Sequence, residues 1–271
     1  MNNNWKPLFL DRGFPNILWN KMKNIFKLIA VVIVCLSFQA SSAQNETILK
    51  DNTNTWFTML NRINLNTKWS VSNEIHERFG AFLNEQGTFL WRPSVDYHVN
   101  SSVEFSFGYS YINNKPNDPN PNPKIGVVEN NIWEQVLLKH DISKVHFQHR
   151  FRQENRWFDT VGQNLDGSYS KTGTDYGNRF RYRLIINTTL KKLSNNDELF
   201  FQGFDEIWFS QTDKLAPKAF NRNWLYLGLG YKFNSKSNLQ LGYMNQWDVL
   251  SNNTFVSTPI IQTTFVRNFD L

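Results

Sequence analysis

The chain has 271 residues, a formal net charge of +6 and a single cysteine, Cys35. This length suits one large all-β domain or two small ones. Aromatic residues make up 15% of the chain, yet the mean hydropathy is −0.50, which argues against transmembrane helices because these need continuous apolar runs. The modest basic balance, with arginines spaced two residues apart, argues against a nucleic-acid partner.

The N-terminal segment is predicted to be removed on export. From Met22 the chain reads MKNIFKLIAVVIVCLSFQASSAQ, with two lysines, a short apolar run and small residues at the end, which is the layout of a secretory signal peptide over 22–43 cleaved before Gln44. The alternative, a short membrane anchor, is disfavoured because a membrane-spanning helix needs about 20 apolar residues. Residues 1–21 precede a complete signal, so we expect them to be an upstream extension from a mis-assigned start. The expected mature chain, 44–271, then contains no thiol for a disulfide, a metal or catalysis.

Polar and apolar side chains alternate along the mature chain with a period of two, which predicts β-strands. Most of these segments have about 11–15 residues, which is longer than the ~5–6 typical of soluble sheets and suits tilted strands that cross a membrane. The eleven predicted strands cover 55–65, 67–79, 87–99, 101–112, 131–142, 144–158, 176–190, 198–210, 221–233, 238–249 and 255–270.

The predicted connections alternate between short and long, which is typical of outer-membrane barrels. Because bacterial barrels normally have an even number of strands, we expect a twelfth strand in 46–51 and an all-β, antiparallel, up-and-down transmembrane barrel, with ten strands as the other even count. The alternatives are a secreted sandwich or solenoid. The predicted short turns lie near Asn66, Asn100, 142–143, 194–197 and 234–237, and the predicted longer loops are 80–86, 113–130, 159–175, 211–220 and 251–254.

The segment VHFQHRFRQENRWF, residues 145–158, places charges and aromatics on opposite sides of one strand. An arginine at the middle of a bilayer costs about 2–4 kcal/mol, so the charged side is predicted to face the lumen. The outward set is then Phe147, Phe151, Trp157, Phe180, Tyr182 and Leu184, and aromatic residues expected near the rims are Trp69, Trp91, Trp157, Tyr109 and Tyr231. The predicted lumen-lining residues are Arg78, Arg92, Arg150, Arg152, Glu154, Arg156, Arg179, Arg181, Arg183, Glu206 and Arg222.

Two interpretations of this charged lining remain open. Arginines and carboxylates can interlock as a salt-bridged plug, with further acids supplied across the lumen by Glu74, Asp96, Glu104 and Glu206. Alternatively, the surplus of guanidinium groups can line a narrow passage for small anionic solutes.

A membrane enzyme that modifies lipids is a third alternative. His76, His98 and His146 fall at inward-type positions, but no nucleophile elbow, Walker motif or dinucleotide fingerprint is present. We therefore expect no catalytic residue, no metal site and no cofactor.

Several short blocks resemble one family. These are HRFRQENRW (149–157), FNRNWLYLGLGYKF (220–233), LQLGYMNQ (239–246), FVRNFDL (265–271) and KWSVSNEIHER (68–78). Together they are similar to the family called domain of unknown function 2490, over essentially the whole mature chain. The resemblance implies a signal-peptide-bearing outer-membrane β-barrel of Gram-negative bacteria and no established activity or catalytic residue.

The sequence thus predicts a monomeric protein of the outer membrane with a structural or permeability role. Its expected partners are membrane lipid, the barrel-assembly machinery and small anionic solutes. The C-terminal strand, with Phe265, Phe269 and Leu271, is the expected recognition element for that machinery.

Overall fold

Strands account for the regular structure of the chain in the computed structural model, which describes residues 47–50, 52–115, 125–193, 197–212, 219–250 and 254–271. The predicted signal peptide and upstream extension lie outside these residues. No helix in the described ranges is long and apolar enough to cross a membrane. The strands are β1 (Thr47–Leu49), β2 (Asn54–Asn64), β3 (Trp69–Gly80), β4 (Glu85–His98), β5 (Val103–Asn114), β6 (Val127–Ile142), β7 (Val145–Gln163), β8 (Tyr169–Lys192), β9 (Glu198–Ser210), β10 (Ala219–Asn234), β11 (Ser237–Val249) and β12 (Phe255–Asp270).

Eleven strands of the described chain, β2 to β12, close into a barrel. Successive strands are antiparallel neighbours, and β12 returns to pair with β2 from Ile260–Asn54 to Asp270–Asn64. This closing pair is parallel, because an odd number of up-and-down strands leaves the first and last running in the same direction. The short strand β1 also pairs in parallel with β12, at Thr47–Phe255, and continues the line of β2.

The expectation of a wholly antiparallel twelve-stranded barrel is therefore corrected. The segment 46–51 does contain a strand, but Thr47–Leu49 runs parallel to β12 and is not a twelfth antiparallel strand of the barrel. Alternation with a period of two is the same for both strand directions, so the pattern carries no information about the closing pair. The expectation came from the usual even number of strands in bacterial barrels. In a barrel with an odd number of strands, a parallel pair between the first and last strands supplies the backbone hydrogen bonds of both edges.

The register fixes the tilt and width of the barrel. A path that starts at Asn64 on β2 and moves from each residue to its paired residue on the next strand returns, after one turn around the barrel, to Ile48 on β1. Allowing for the break between β1 and β2, this is a stagger of about 14 residues, which for eleven strands gives a tilt of about 44° and a backbone diameter of about 22 Å. Such an interior accommodates long side chains from opposite walls.

The connections separate by length between the two ends of the barrel. One end, the short-turn end, carries 65–68, 99–102, 143–144, 193–197 and 235–236, and the other, the long-loop end, carries 81–84, 115–126, 164–168, 211–218 and 250–254. The predicted segregation holds only on average, because 81–84 has four residues and 193–197 has five, the same length as 164–168 and 250–254.

The predicted loop 159–175 is largely strand. β7 continues to Gln163 and β8 begins at Tyr169, while β6 pairs with β7 only as far as Phe158 and β9 pairs with β8 only from Arg179. The β7–β8 hairpin therefore projects beyond its neighbours at the long-loop end.

Side chains of opposite character face the two sides of the barrel wall. The outer surface carries exposed large apolar residues, among them Phe107 (61% exposed), Leu227, Leu229 and Leu241, while buried polar and charged side chains point inward. The six residues predicted to face outward on β7 and β8 alternate with the buried arginines of the same strands. The solvent-accessible face is thus largely apolar, as in a membrane barrel and unlike a soluble globular protein. The enclosed face combines these buried charges with an apolar, largely aromatic cluster contributed by β2 and β9 to β12.

Aromatic pairs lie toward both ends of the outer surface. Trp69 packs on Tyr97 near the short turns, and Trp157 packs on Tyr176 near the long loops. Tyr231–Phe233 is a further outward pair near the short turns. Trp91 and Tyr109 also form an outward pair, but it lies at the middle of β4 and β5 and not at a rim, contrary to the expectation. Along β7, Phe147 and Trp157 are ten residues apart, which corresponds to about 25 Å along the barrel axis at this tilt.

Candidate functional site: an arginine-lined cavity

The arginines on the inner faces of β7 and β8 converge on two buried glutamates. Glu206 accepts hydrogen bonds from Arg150 Nη2 at 2.6 Å and from Arg181 Nε and Arg183 Nε at 2.7 Å each. Both glutamates are fully buried, with 0% exposure. The carboxylates therefore lie against the wall, and the guanidinium groups stand between them and the interior.

Arg181 links the two carboxylates into one network. Its Nη1 donates to Glu154 at 2.6 Å, while its Nε donates to Glu206. Arg179 Nε also donates to Glu154, at 2.8 Å. Charge-assisted hydrogen bonds of this kind are stronger than neutral ones, and they hold four arginines with two acids. The network fits the predicted interlocking of charges but leaves a surplus of positive charge.

The remaining arginines of β7 have other acceptors. Arg156 makes a bidentate pair with Glu129 on β6, at 2.6 and 2.5 Å. Arg152 donates Nε and Nη2 to the neutral amide oxygen of Gln135, and its Nη1 has no hydrogen-bond partner among the described residues. Arg152 is thus a nearly buried cation whose ion pair with a carboxylate is long, at 3.9 Å from its Nη1 to Glu154 Oε1.

A second charged cluster lines the opposite wall. Arg92 on β4 donates to Glu74 at 2.9 Å and to Ser110 at 2.8 Å. Toward the short-turn end, Glu104 receives a bidentate pair from Arg62, at 3.1 and 2.7 Å, and Lys139 at 3.0 Å. These contacts place the predicted acids Glu74 and Glu104 inside the lumen.

Aromatic rings form the third part of the lining. Trp208 and Trp224 lie with centroids 4.6 Å apart, within a buried cluster that also contains Trp56. The Arg181 guanidinium lies 3.9 Å from the Trp208 ring centroid, and the Arg78 guanidinium lies 3.8 Å from that of Trp56. The rings support the planar guanidinium groups by cation–π contact and stacking.

Glycines make room for the inward rings. A Cβ on Gly228 would lie 2.2 Å from the Tyr226 hydroxyl, and one on Gly230 would lie 2.1 Å from the Phe200 ring. The two glycines in the GLGY segment of β10 therefore allow aromatic side chains to lie flat along the wall.

A cavity of about 900 Å³ runs inside this lining. The residues around it include Asn64 and Asn268 at the short-turn end and Asn114 and Asn221 at the long-loop end, so within the described chain it reaches both ends of the barrel. Of the residues that the structure describes, ten arginines but only three acids line it, the acids being Glu74, Asp96 and Glu129. Glu104, Glu154, Glu206 and Asp248 pair with these same arginines from outside the lining, so the described lumen keeps a smaller surplus of positive charge.

The structure places all eleven predicted lumen residues on the inner face. Arg78, Arg92 and the six arginines of β7 and β8 line the cavity, and Arg222 lines it while paired with Asp248. Glu154 and Glu206 lie behind these arginines.

Sequence reasoning missed Arg62 and Glu129, as well as the inward Trp56, Trp133, Trp208 and Trp224. Their positions share the parity of recognised lumen residues, for example Trp208 with Glu206 and Trp224 with Arg222, and this was the available signal. It was obscured because the aromatics of this chain occur on both faces.

Histidines in the lumen take part in hydrogen-bonded relays. Ser70 Oγ lies 2.9 Å from His98 Nε2, whose Nδ1 lies 3.2 Å from Glu104. Thr58 and His76 make a similar chain with Glu74, at 3.0 and 2.5 Å. The connectivity is that of a nucleophile, base and acid.

The more complete of these relays is closed to a substrate. Ser70 is 0% exposed, and Glu104 is already held by Arg62 and Lys139. We interpret this relay as hydrogen-bonded filling of the lumen. Thr58, His76 and Glu74 of the other relay line the cavity, where Thr58 and His76 are nearly buried. Within the described residues, no group of three or more His, Cys, Asp or Glu side chains could hold a metal ion.

Comparison with known proteins gives a family and two similar proteins. The chain is 24% identical over 176 residues to an uncharacterized protein of Methylorubrum extorquens strain AM1, covering 64% of this chain and 69% of that protein. Among solved structures, the NanC porin in a rhombohedral crystal form is similar with a TM-score of 0.44 and 11% identity, covering 76% of this chain and 93% of the porin chain. The model of the family described as protein of unknown function (DUF2490) matches residues 53–256. This match spans β2 to β11 completely, and the chain therefore belongs to the DUF2490 family.

Proposed function

We propose that the protein is an outer-membrane β-barrel whose lumen is a narrow passage for small anionic solutes. The observation that carries this proposal is the cavity of about 900 Å³ that reaches both ends of the barrel and is lined by ten arginines against three acids.

The outer surface supports a place in a membrane. Exposed apolar side chains cover the strands, and aromatic pairs lie toward both ends. The outward residues Phe147 and Trp157 on β7 are about 25 Å apart along the axis, which matches the apolar band of outer-membrane barrels. A secreted soluble protein would bury such a surface. The short turns are then periplasmic and the long loops extracellular, with membrane lipid as the surrounding solvent and a single barrel as the working unit.

The arrangement of charge supports selectivity for anions. Glu154 and Glu206 neutralise part of the arginine charge from behind, while the guanidinium groups face the cavity. Rings of like charge in a narrow pore select solutes of the opposite charge. Because the ion-paired arginines and the aromatic rings occupy part of the interior, the proposed passage is narrow and suits small solutes.

Single-channel recording in planar lipid bilayers tests this proposal. The purified barrel is expected to conduct in potassium chloride, with a reversal potential under a salt gradient that shows preference for chloride. Arg152→Gln should reduce this preference, because Arg152 lines the cavity, donates its hydrogen bonds to a neutral amide and makes only a long ion pair, at 3.9 Å, with Glu154.

The matched control is Arg267→Gln. Arg267 is an exposed residue at the outer face, where its guanidinium lies 5.2 Å from the Phe269 ring centroid, and its loss should leave the selectivity unchanged. A correctly folded barrel that shows no conductance would contradict the passage and leave the charged network as a structural plug.

A further inference from the structure

Arg78 differs from the other arginines of the cavity in having no acceptor. In the described part of the chain, each of the other nine has a hydrogen bond or ion pair to a carboxylate or an amide oxygen. Arg78 has none, and its Nε is buried without a partner. An enclosed cation without a counter-charge is costly, so this position favours an anion from outside the chain.

Among the described residues, the surroundings of Arg78 supply no acid for it. Its paired residues on the neighbouring strands are Trp56 and Thr88. Glu74, four residues earlier on β3, is already bound by Arg92 and His76. The Arg78 charge is therefore available to a solute in the cavity.

Aromatic rings hold the guanidinium group in one orientation. Its central carbon lies 3.8 Å from the Trp56 ring centroid and 5.6 Å from that of Trp224. Trp224 also contacts Arg181, at 5.7 Å. One side of the Arg78 group rests on a ring, and its terminal N–H groups, which are not among the buried atoms, remain open to the cavity that Arg78 lines.

We infer that Arg78, supported by Trp56 and Trp224, is a binding site for the oxyanion of a small solute, either a carboxylate or a phosphate. The planar fork of N–H groups matches both chemistries through two parallel hydrogen bonds. The site deepens the proposed passage and rests on it for the route by which the anion arrives. A solute would pause at this position, so transport through the barrel would saturate.

Titration of the folded barrel in detergent micelles tests the site without requiring transport. Inorganic phosphate and acetate are the probes, and tryptophan fluorescence and calorimetry are the measurements, since Trp56 and Trp224 adjoin the site. We expect saturable binding that Arg78→Gln weakens by about tenfold or more, because a charged, two-point hydrogen bond is lost. Arg78→Lys should fall between the two, since it keeps the charge and loses the fork.

The control is Arg267→Gln on the outer face, which should bind like the unchanged protein. Saturation by either probe that is lost with Arg78 supports the site, and the tighter probe identifies the chemical class. Failure of both probes to saturate, or equal binding by Arg78→Gln in a barrel with unchanged heat-modifiable gel mobility, overturns it. A barrel that binds phosphate or acetate but does not conduct refutes the passage alone, and one that conducts without saturable binding refutes the site alone.

Discussion

At the scale of single residues, Arg181 is the connection on which the buried network depends. It donates to both Glu154 and Glu206, and all three side chains are at most 2% exposed. Removing one partner of a buried ion pair is strongly destabilising because it leaves an uncompensated buried charge. The wall formed by β7, β8 and β9 therefore depends on one guanidinium group.

Arg181→Met is expected to destabilise the barrel by about 3–5 kcal/mol. Arg222→Gln is the comparison, because Arg222 is about one-third exposed and its pair with Asp248 should contribute about 1 kcal/mol or less. Urea unfolding of both variants in lipid vesicles, followed by tryptophan fluorescence, measures the difference. Equal losses would show that the network around Arg181 is not the dominant interaction.

Glu134 is an exception to the apolar outer surface. It is exposed on β6, and its paired residues on β5 and β7 are Phe107 and Gln153. A carboxylate facing hydrocarbon is unfavourable, although less so than an arginine. The effect of replacing Glu134 on stability therefore distinguishes lipid from a protein surface as the neighbour of the outer face.

Glu134→Leu is expected to raise the free energy of unfolding in vesicles by about 1 kcal/mol if this face contacts lipid. The same substitution in detergent micelles, where water reaches the surface more easily, should have a smaller effect. A loss of stability, or a change in the oligomeric state measured by light scattering, would instead indicate that a protein surface covers Glu134.

At the scale of elements, the unusual feature is the parallel seam between β12 and β2. The register pairs Phe265 with Met59 across it, and a reversed pairing would bring different residues together. Because Cys35 is the only cysteine, its replacement by serine gives a background without thiols.

In that background, Met59→Cys with Phe265→Cys should form a disulfide on mild oxidation, because directly paired residues in a sheet lie within reach of one. Met59→Cys with Ile261→Cys is the control and should not, since these positions are four residues out of register. Gel mobility with and without reductant distinguishes them. Cross-linking in the control alone would show that the seam has a different register.

The sequence predicted the strands well and their ends less well. Eleven alternating segments correspond to β2–β12 because the pleat imposes a period of two on any strand with unlike faces. The direction of the closing pair was not predictable, since alternation is silent on direction. Residues 159–175 were assigned to a loop because their polar side chains show no apolar face, yet β7 and β8 extend there, where both faces of the projecting hairpin meet water.

The candidate site was also predictable only in part from the sequence. The arginines of the lumen were identifiable because a charged side chain has a strong preference for one face of a membrane barrel. Their individual partners were not, since Glu206 bonds to Arg150 across 56 residues and such pairing depends on stagger. Trp208 and Trp224 were not assigned to the lumen, because tryptophan suits both lipid interfaces and guanidinium stacking.

At the scale of the whole molecule, the two ends of the barrel are unlike. The long-loop end carries the projecting β7–β8 hairpin, whose turn is ordered by Gly167 with a φ of 82° and by hydrogen bonds from Ser168 to Asp166. The side-chain hydrogen bond from Ser168 is the main cause of the lowered pKa of the Asp166 carboxyl. In the proposed orientation this turn lies outside the cell.

An epitope tag inserted within 164–168 should be detected by antibody on intact cells. A tag inserted within 99–102, at the short-turn end, should be detected only after the outer membrane is permeabilised. Both variants should retain heat-modifiable gel mobility, because each insertion lies in a connection and not in a strand. The opposite labelling pattern would reverse the proposed orientation.

The odd number of strands in the closed barrel also restricts how such a barrel can change in size. Duplication or deletion of a whole hairpin changes the number of strands by two. The number therefore stays odd, and the first and last strands of the barrel remain parallel. Conversion between this architecture and one with an even number requires the gain or loss of a lone strand, and the hydrogen bonds along the seam must then be remade in the opposite sense in the same event. In the proposed membrane setting, variants of intermediate form would carry an unpaired strand edge within lipid, where its backbone groups would have no hydrogen-bond partners.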